Sequence, residues 1–519
     1  MGVMNIGSTY NLNSWEKYLR ILIGIFVYSS AVYFFSFITV DTDLWGHIQF
    51  GKDIWTSKAL NRFDIYSYTA YGREWINHEW LSELVMYFVF NIFGSLGLLM
   101  GKLLMGIIIV YILSYISFNR ISYPLVYGPV MVLAIFIMSP GFMIRPQIST
   151  FLFTAFYLYV FHQYLERGKD LLWSLPFVMI LWVNCHGGFL IGLGMFPVVF
   201  VIEFIAYRSG ETDKRYLYRL LFWLIITEAS VLINPYGYRL LVFLYETLSV
   251  KRNIWEWNPI NVFDLSYLRF KVFAILVILT LFFVRDRKRY WETGIIAIAM
   301  IYAFKHQRHT PIFAIIAAPY LIEKLSIVAR RINLYDRIKS LPSFLLINIS
   351  LCILIGYQLY YTSNKYVKNR GNIIVDPSIY PVYAVHFLKQ NEIKGNILLP
   401  FEWGEYVIWK LYPECKVSID GRFRTVYPQT VLDDHLMALH DESMYKKLLD
   451  KYSTDIILAR RNSFFQQMIS NQKKWIYIYS DFNSIVFVKD NGCQNGVMDK
   501  LKRGELIYPH KELSIYFPA

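Results

Sequence analysis

The string DTDLWGH carries two carboxylates, Asp41 and Asp43, two positions apart, with His47 four residues beyond Asp43. Two close carboxylates can bind a divalent cation, or one can act as general base while the other orients it. If the residues after Asp43 are helical, Asp43 and His47 share a face, and Trp45, Ile48 and Trp55 can lie along a membrane interface. The string NHEWLSEL places Asn77, His78 and Glu79 at the start of an amphipathic pattern whose apolar face includes Trp80, Leu81, Leu84 and Val85. Asn77 and Glu79 equally suit a helix cap and an acidic first turn. HEWLS lacks the second histidine of the zinc-protease motif, so that chemistry is rejected.

Cations complete the set. Arg145, in SPGFMIRPQIST, lies between two apolar runs. Its guanidinium can grip a phosphate through two parallel bonds, or snorkel to an interface. YAFKHQRHTPIF packs Lys305, His306, Arg308 and His309 between apolar runs, a group suited to a phosphate or diphosphate beside a bilayer. His306 and His309 share a face if helical. WVNCHGGFLIG offers Asn184 and His186, with Gly187 and Gly188 permitting a tight turn or close backbone approach. The loop over roughly 234–270 is rich in Trp and Asn, which would stack on sugars or form an interfacial belt. KVSIDGRFRTVY sets Asp420, Gly421, Arg422 and Arg424 after a short apolar run, where Asp-Gly is also an ordinary turn.

Most of these groups sit at the ends of long apolar runs. The chain has 519 residues, 55% hydrophobic and only 17% charged, with mean hydropathy +0.35. A soluble protein carries about 25% charged residues. The composition excludes a disordered chain, a disulfide-dense module and an ordinary soluble enzyme. A bilayer core of roughly 30 Å takes about 20 apolar residues per helix. Runs near 20–40, 95–117, 123–139, 147–164, 171–184, 187–207, 219–234, 271–284, 291–304, 309–323 and 342–361 predict about eleven spans, within a range of ten to twelve. The first run is too long for a signal-peptide core, so it reads as an uncleaved anchor.

Orientation follows the Lys/Arg bias of short connectors. Lys17 and Arg20, Arg120, Arg167 and Lys169, Arg208 to Arg219, Arg285 to Arg289 and Lys324 to Lys339 all fall on one side. That places the N-terminus in the cytoplasm and makes these loops plain basic connectors. The net charge of +14 then reports topology rather than nucleic-acid binding. Arg145 and the Lys305–His309 group are the cations on the opposite, outer side.

The membrane part covers 1–363, with an amphipathic outer loop at 41–94. Charged residues become frequent after about 364, so 364–519 reads as an extracytoplasmic α/β domain. Helical patterns at 379–391, 402–411, 443–451 and 464–472 alternate with apolar runs at 396–399, 416–419 and 455–459. WIYIYSDFNSIVFVKD reads as a β-hairpin. Cys415 and Cys493 could pair there if the compartment is oxidising. The chain has no GxxxxGK[ST] phosphate loop and no GxSxG elbow. Its short cytoplasmic loops leave no room for a nucleotide-binding domain, which argues against a nucleotide-sugar donor.

An acidic pair just after the first span, an amphipathic outer loop, about eleven spans and an outer α/β domain resemble the GT-C superfamily of membrane glycosyltransferases. More narrowly, the chain resembles prokaryotic relatives of the protein mannosyltransferases and of the lipid A aminoarabinose transferase. DTDLWGH, NHEWLSEL, RPQ, NCHGGFLIG and KHQRH together look like a prokaryotic branch of that superfamily. Only Asp41 and Asp43 match the superfamily's acidic motif directly. The resemblance implies a polytopic α-helical membrane protein that moves a sugar from a polyprenyl-phosphate-linked donor to a glycan, lipid or protein acceptor on the outer face. Asp41 and Asp43 are then the catalytic candidates. By position, His47, His78, Glu79, Arg145, Asn184, His186, Lys305, His306, Arg308 and His309 are the substrate-binding candidates. A divalent metal stays open. The alternatives are a membrane transporter, a flippase or polymerase of lipid-linked glycans, and a scaffold that displays the C-terminal domain. A transporter needs polar residues near the midplane, whereas here they crowd the outer edge.

Overall fold

The computed structural model describes residues 14–210, 213–248, 255–284, 289–334, 341–438, 441–463, 466, 469, 474–490, 495–509 and 515–518. The first twelve helices are α1 (Ser14–Phe35), α2 (Leu44–Ser57), α3 (Trp80–Phe118), α4 (Pro124–Met138), α5 (Gln147–Arg167), α6 (Leu175–Cys185), α7 (Leu190–Arg208), α8 (Lys214–Ser230), α9 (Arg239–Leu248), α10 (Leu268–Phe283), α11 (Tyr290–Lys305) and α12 (Thr310–Arg331). A long helix, Leu341–Lys368, follows. Each long apolar run of the membrane part falls on a helix, and the short runs at 396–399, 416–419 and 455–459 fall on or beside strands. Among the described residues, six helices are long and apolar enough to cross a membrane: Lys17–Phe35, Trp80–Phe118, Pro124–Gly141, Gly187–Arg208, Gln307–Arg331 and Pro342–Lys368. Leu172–Cys185 is a shorter apolar helix. The chain is a multi-pass membrane protein.

Local chemistry sets the ends of these helices. Pro124 opens α4 at its first turn, where its missing N–H costs nothing, and Gly168 closes α5 in the left-handed region. α3 begins inside the expected loop and runs on into the expected span, broken at Gly94 (φ 60°, ψ −153°), a backbone geometry that favours glycine. α12 is the central helix, with 89% of its apolar window buried, and Leu341–Lys368 is peripheral, with 6% buried.

The C-terminal part forms a five-stranded sheet from β1 (Gly395–Leu398), β2 (Cys415–Val417), β3 (Ile456–Arg460), β4 (Trp475–Ser480) and β5 (Ser484–Lys489). The order is β2-β1-β3-β5-β4, with β2, β1 and β3 parallel and β5 and β4 antiparallel. The expected hairpin is β4–β5. The helical patterns at 379–391, 402–411 and 443–451 appear as Val382–Gln390, Gly404–Leu411 and Glu442–Lys451. The pattern at 464–472 falls largely outside the described residues, and Cys493 lies outside them. Cys415 is buried, its Sγ donating to the Ile393 carbonyl at 3.5 Å.

This sheet does not stand apart from the membrane part. Residues 66–68 extend its β2 edge: Val417 N–H donates to Tyr66 O at 3.1 Å, and Tyr68 N–H donates to Val417 O at 3.1 Å. Arg422 fastens the same loop. It donates to Asp64 and Asp420, each at 2.7 Å, and lies over the rings of Phe50, Tyr66 and Trp75. Trp45 and Ile48 do not lie along a membrane interface. Both are fully buried, and Trp45 packs edge-on against Tyr380 and Tyr406 of the C-terminal part. The apolar face of α2 therefore meets protein, because the Gly404–Leu411 helix of the C-terminal part packs on it.

A second departure concerns the basic connectors. Arg120 and Arg289 are not free loop cations. They are half-buried among Glu166, Glu292 and Glu323, with Arg120 donating to Glu292 at 2.7 Å and Arg289 to Glu292 at 3.0 Å. Arg285, Arg287, Lys288, Arg337 and Lys339 lie outside the described residues.

Candidate active site

The chain leaves α1 at Phe35 and runs extended to Asp41, with Val40 N–H donating to Ile374 O at 2.9 Å. Asp43 then precedes the first turn of α2. Arg145 comes from the turn between α4 and α5. Its Nε donates to Asp41 Oδ1 at 2.6 Å, its Nη2 lies 3.3 Å from Asp43 Oδ2, and its Nη1 lies 3.8 Å from Glu256 Oε1. Asp41 Oδ1 also accepts the Asp43 N–H at 3.1 Å. Burial, and then the neighbouring Asp43 charge, push the Asp41 carboxyl up, although Arg145 opposes them. Burial works against the Arg145 charge, but Asp43, Asp41 and Glu256 outweigh it and hold the guanidinium above its ordinary range. Arg145 is thus paired rather than snorkelling.

Histidines and glutamates from three helix ends meet beside this triad. Glu79 precedes α3, with His186 Nε2 at 3.6 Å and His78 Nε2 at 3.9 Å from its Oε1. His47 Nδ1 lies 3.3 Å from Glu83 Oε1, and Asn77 Nδ2 donates to Glu83 Oε2 at 2.5 Å. The His186 Nδ1 accepts the Gly188 N–H at 2.9 Å, so its ring proton belongs on Nε2, aimed at Glu79. Thr150 Oγ1 is 2.8 Å from the same Nδ1. Burial, helped by Arg308, pushes His186 down to about 3 against the pull of Glu79, so the ring stays neutral. Burial alone would raise Glu79. His78, His47 and Arg308 outweigh burial and hold it below its ordinary value, with the neutral His186 ring facing its carboxylate through Nε2.

Gly188 is required by space rather than by dihedral angle, and Gly187 lies close against His78. A Cβ on Gly188 would lie 2.3 Å from Thr150 Oγ1, and one on Gly187 would lie 3.2 Å from His78 Nε2. Asn184 is engaged by the protein: its Oδ1 accepts from Trp80 Nε1 at 2.8 Å, and its Nδ2 donates to the Ile180 and Ile233 carbonyls. It ties α6 to α3.

The turn between α11 and α12 contributes unequally. His306 Nδ1 is 2.8 Å from Trp257 O, and the His306 and His309 rings are 5.8 Å apart. Arg308 lies over the Trp257 ring at 4.9 Å, within electrostatic reach of Glu256, Arg145 and Glu79. Lys305 is exposed. Arg308 and Glu256 also line a cavity of about 480 Å³ bounded by α4, α10 and α12, whose apolar wall includes Phe136, Leu268 and Phe270. A second cavity of about 520 Å³ lies beside His78, lined by Ile76, Phe243, Arg239 and Tyr427.

Among the described residues, His47, Glu79 and Glu83 bring one ligand atom each within 4.8 Å of one another. One imidazole and two carboxylates suit a divalent transition ion, and these are the residues that would hold one.

Three acids at the site are absent from the sequence candidates. Glu83 follows Glu79 by one helical turn, so the spacing was there to be read. Glu256 is hidden in an aromatic loop. Glu405 belongs to the C-terminal part, and its Oε2 accepts the Gly46 N–H at 3.1 Å. Nothing local in the sequence marks it.

No protein-family model matches the chain, and no curated protein matches it. Solved structures do. The arabinofuranosyltransferase AftD from Mycobacteria matches over 92% of this chain, with a TM-score of 0.53 and 10% identity. The chain spans 40% of AftD's length. ArnT from Cupriavidus metallidurans, in the apo state, matches over 91% of this chain and 97% of its own, with a TM-score of 0.51 and 11% identity. At such identities the likeness is one of fold alone: the chain shares the fold of AftD and ArnT.

Proposed function

We propose that this protein is an integral-membrane glycosyltransferase. It transfers a sugar from a polyprenyl-phosphate-linked donor to an acceptor at the outer face of the membrane. The observation that carries this reading is the Asp41–Arg145–Asp43 triad beside a cavity that pairs an apolar wall with Arg308. A polyprenyl donor keeps its tail in lipid, so its reacting bond lies at the bilayer surface. That chemistry needs a base and a phosphate-binding cation at the ends of spans. AftD, with which the chain shares its fold, is an arabinofuranosyltransferase, which fits this reading.

Asp43 is the general base. Its side chain is 25% exposed, against 6% for Asp41, so an acceptor can reach it. Asp41 and Arg145 orient it. The Asp43 carboxylate takes the proton of the acceptor hydroxyl as that oxygen bonds to the anomeric carbon. The bond from that carbon to the phosphate oxygen breaks, and polyprenyl phosphate leaves with the electron pair. Arg308 meets the charge on the departing phosphate, because Arg145 is already engaged by three acids. Glu79, held ionised, works with His78 and His186 to orient the sugar. A divalent ion at His47, Glu79 and Glu83 would add positive charge beside the phosphate. The acceptor approaches from water through the cavity beside His78.

The test is transfer of labelled sugar from a polyprenyl-phosphate donor in proteoliposomes. Asp43→Asn should abolish it. Full activity in both Asp43→Asn and Asp41→Asn would sink the proposal.

A further inference from the structure

The first turn of a helix exposes amide N–H groups with no intrahelical partner, and the residue before that turn normally accepts one with its side chain. Asp43 stands before α2 yet makes no such bond, and its backbone (φ −89°, ψ −6°) is not the extended form that capping residues take. Its Oδ1 accepts from the Thr42 hydroxyl and its Oδ2 faces Arg145. The amide that needs a partner, Gly46 N–H, is met instead by Glu405.

We infer that Glu405, delivered by the C-terminal part of the chain, is a positioning residue of the active site: it caps α2 in place of Asp43 and so leaves the Asp43 carboxylate free for chemistry. The inference rests on Asp43 being the base.

The surroundings are built for this contact. A Cβ on Gly46 would lie 2.2 Å from Glu405 Oε2. A Cβ on Gly421 would lie 2.4 Å from Glu405 Oε1 and 2.6 Å from Asp43 Oδ1. A Cβ on Gly404, the residue before Glu405, would lie 2.3 Å from the Ile419 carbonyl. Three glycines therefore let the start of α2, the start of the Gly404–Leu411 helix and the turn after β2 close around one buried carboxyl. Asp43 lies just before α2 and His47 on it, Glu83 on α3, and Asp420 and Arg422 on the turn. Burial, and then Asp43 and Asp420, push Glu405 well above the usual carboxylate range. A neutral carboxyl accepts an N–H without adding charge beside Asp43, which suits the role.

The test uses the full chain in nanodiscs, with hydrogen exchange of the peptide covering the start of α2 and steady-state transfer measured side by side. Glu405→Ala should speed exchange at Gly46 by about tenfold, the scale of a lost cap. It should lower kcat by about tenfold or more with the donor KM nearly unchanged, because the base is misplaced while binding is not. Glu405→Gln keeps an acceptor oxygen and should restore both. Gly46→Ala, which forces Glu405 away, should reproduce the alanine phenotype and covers the case of a Glu405→Ala protein that fails to fold. Wild-type exchange and kcat in Glu405→Ala would overturn the inference, as would a Glu405→Gln variant impaired as deeply as Glu405→Ala. If wild type transfers no sugar while exchange responds as expected, the glycosyltransferase reading fails and the cap stands. If transfer is present and exchange does not respond, the cap alone fails.

Discussion

Arg145 reaches Asp41 through Nε at 2.6 Å while its Nη2 stays 3.3 Å from Asp43, so one guanidinium spans two carboxylates that the chain places two residues apart. Without that cation the acids would repel each other, and one would take up a proton. Arg145→Ala should therefore lower kcat by about a hundredfold, the scale of a misplaced catalytic group. Arg145→Lys should recover only part, since a point charge cannot span both acids. Steady-state transfer assays check both.

The KHQRH segment offers an internal contrast. Arg308 lines the cavity assigned to the donor, whereas Lys305 is exposed. Arg308→Ala should cut kcat/KM for the donor by about ten- to a hundredfold, as for loss of a charge-assisted contact. Lys305→Ala should leave it unchanged. Equal losses would mean that the segment acts only as a diffuse basic patch.

Arg422 is buried between Asp64 and Asp420 under three aromatic rings. Removing one partner of such a cluster leaves unpaired charge and costs about 3–5 kcal/mol. Arg422→Ala should lower the thermal midpoint and open the C-terminal part to protease. Intrinsic fluorescence melting and limited proteolysis read the two effects.

Glu405 predicts a pH dependence of stability. Its folded-state value is raised well above the ordinary 4.5, so the folded chain holds this proton more tightly than the unfolded chain. That stabilisation is complete below the unfolded value and is lost as pH rises through the folded one. The thermal midpoint should fall as pH climbs above 4.5, and Glu405→Gln should flatten that portion of the profile. A wild-type slope in Glu405→Gln would show that another group titrates.

The membrane helices were legible because apolar runs of spanning length have few other folds open to them. The β4–β5 hairpin was legible from strict alternation around a polar turn. Asp41, Asp43, Arg145 and Arg308 were legible because polar groups between apolar runs are conspicuous. Asn184 was conspicuous for the same reason but serves the backbone, since a buried amide must satisfy its bonds whatever its role. Trp45 and Ile48 misled because an apolar helix face does not say whether lipid or protein covers it. Arg120 and Arg289 misled because a basic connector and a buried ion cluster share one composition. Glu405 was out of reach, since its meaning comes only from a contact 359 positions away.

That separation bears on biogenesis. Gly46 waits for Glu405, and residues 66–68 wait for Val417, so the start of α2 and the loop behind it cannot close until the last third of the chain is synthesised and folded. Until then a nascent chain already threaded into the bilayer holds its acids in an unfinished arrangement.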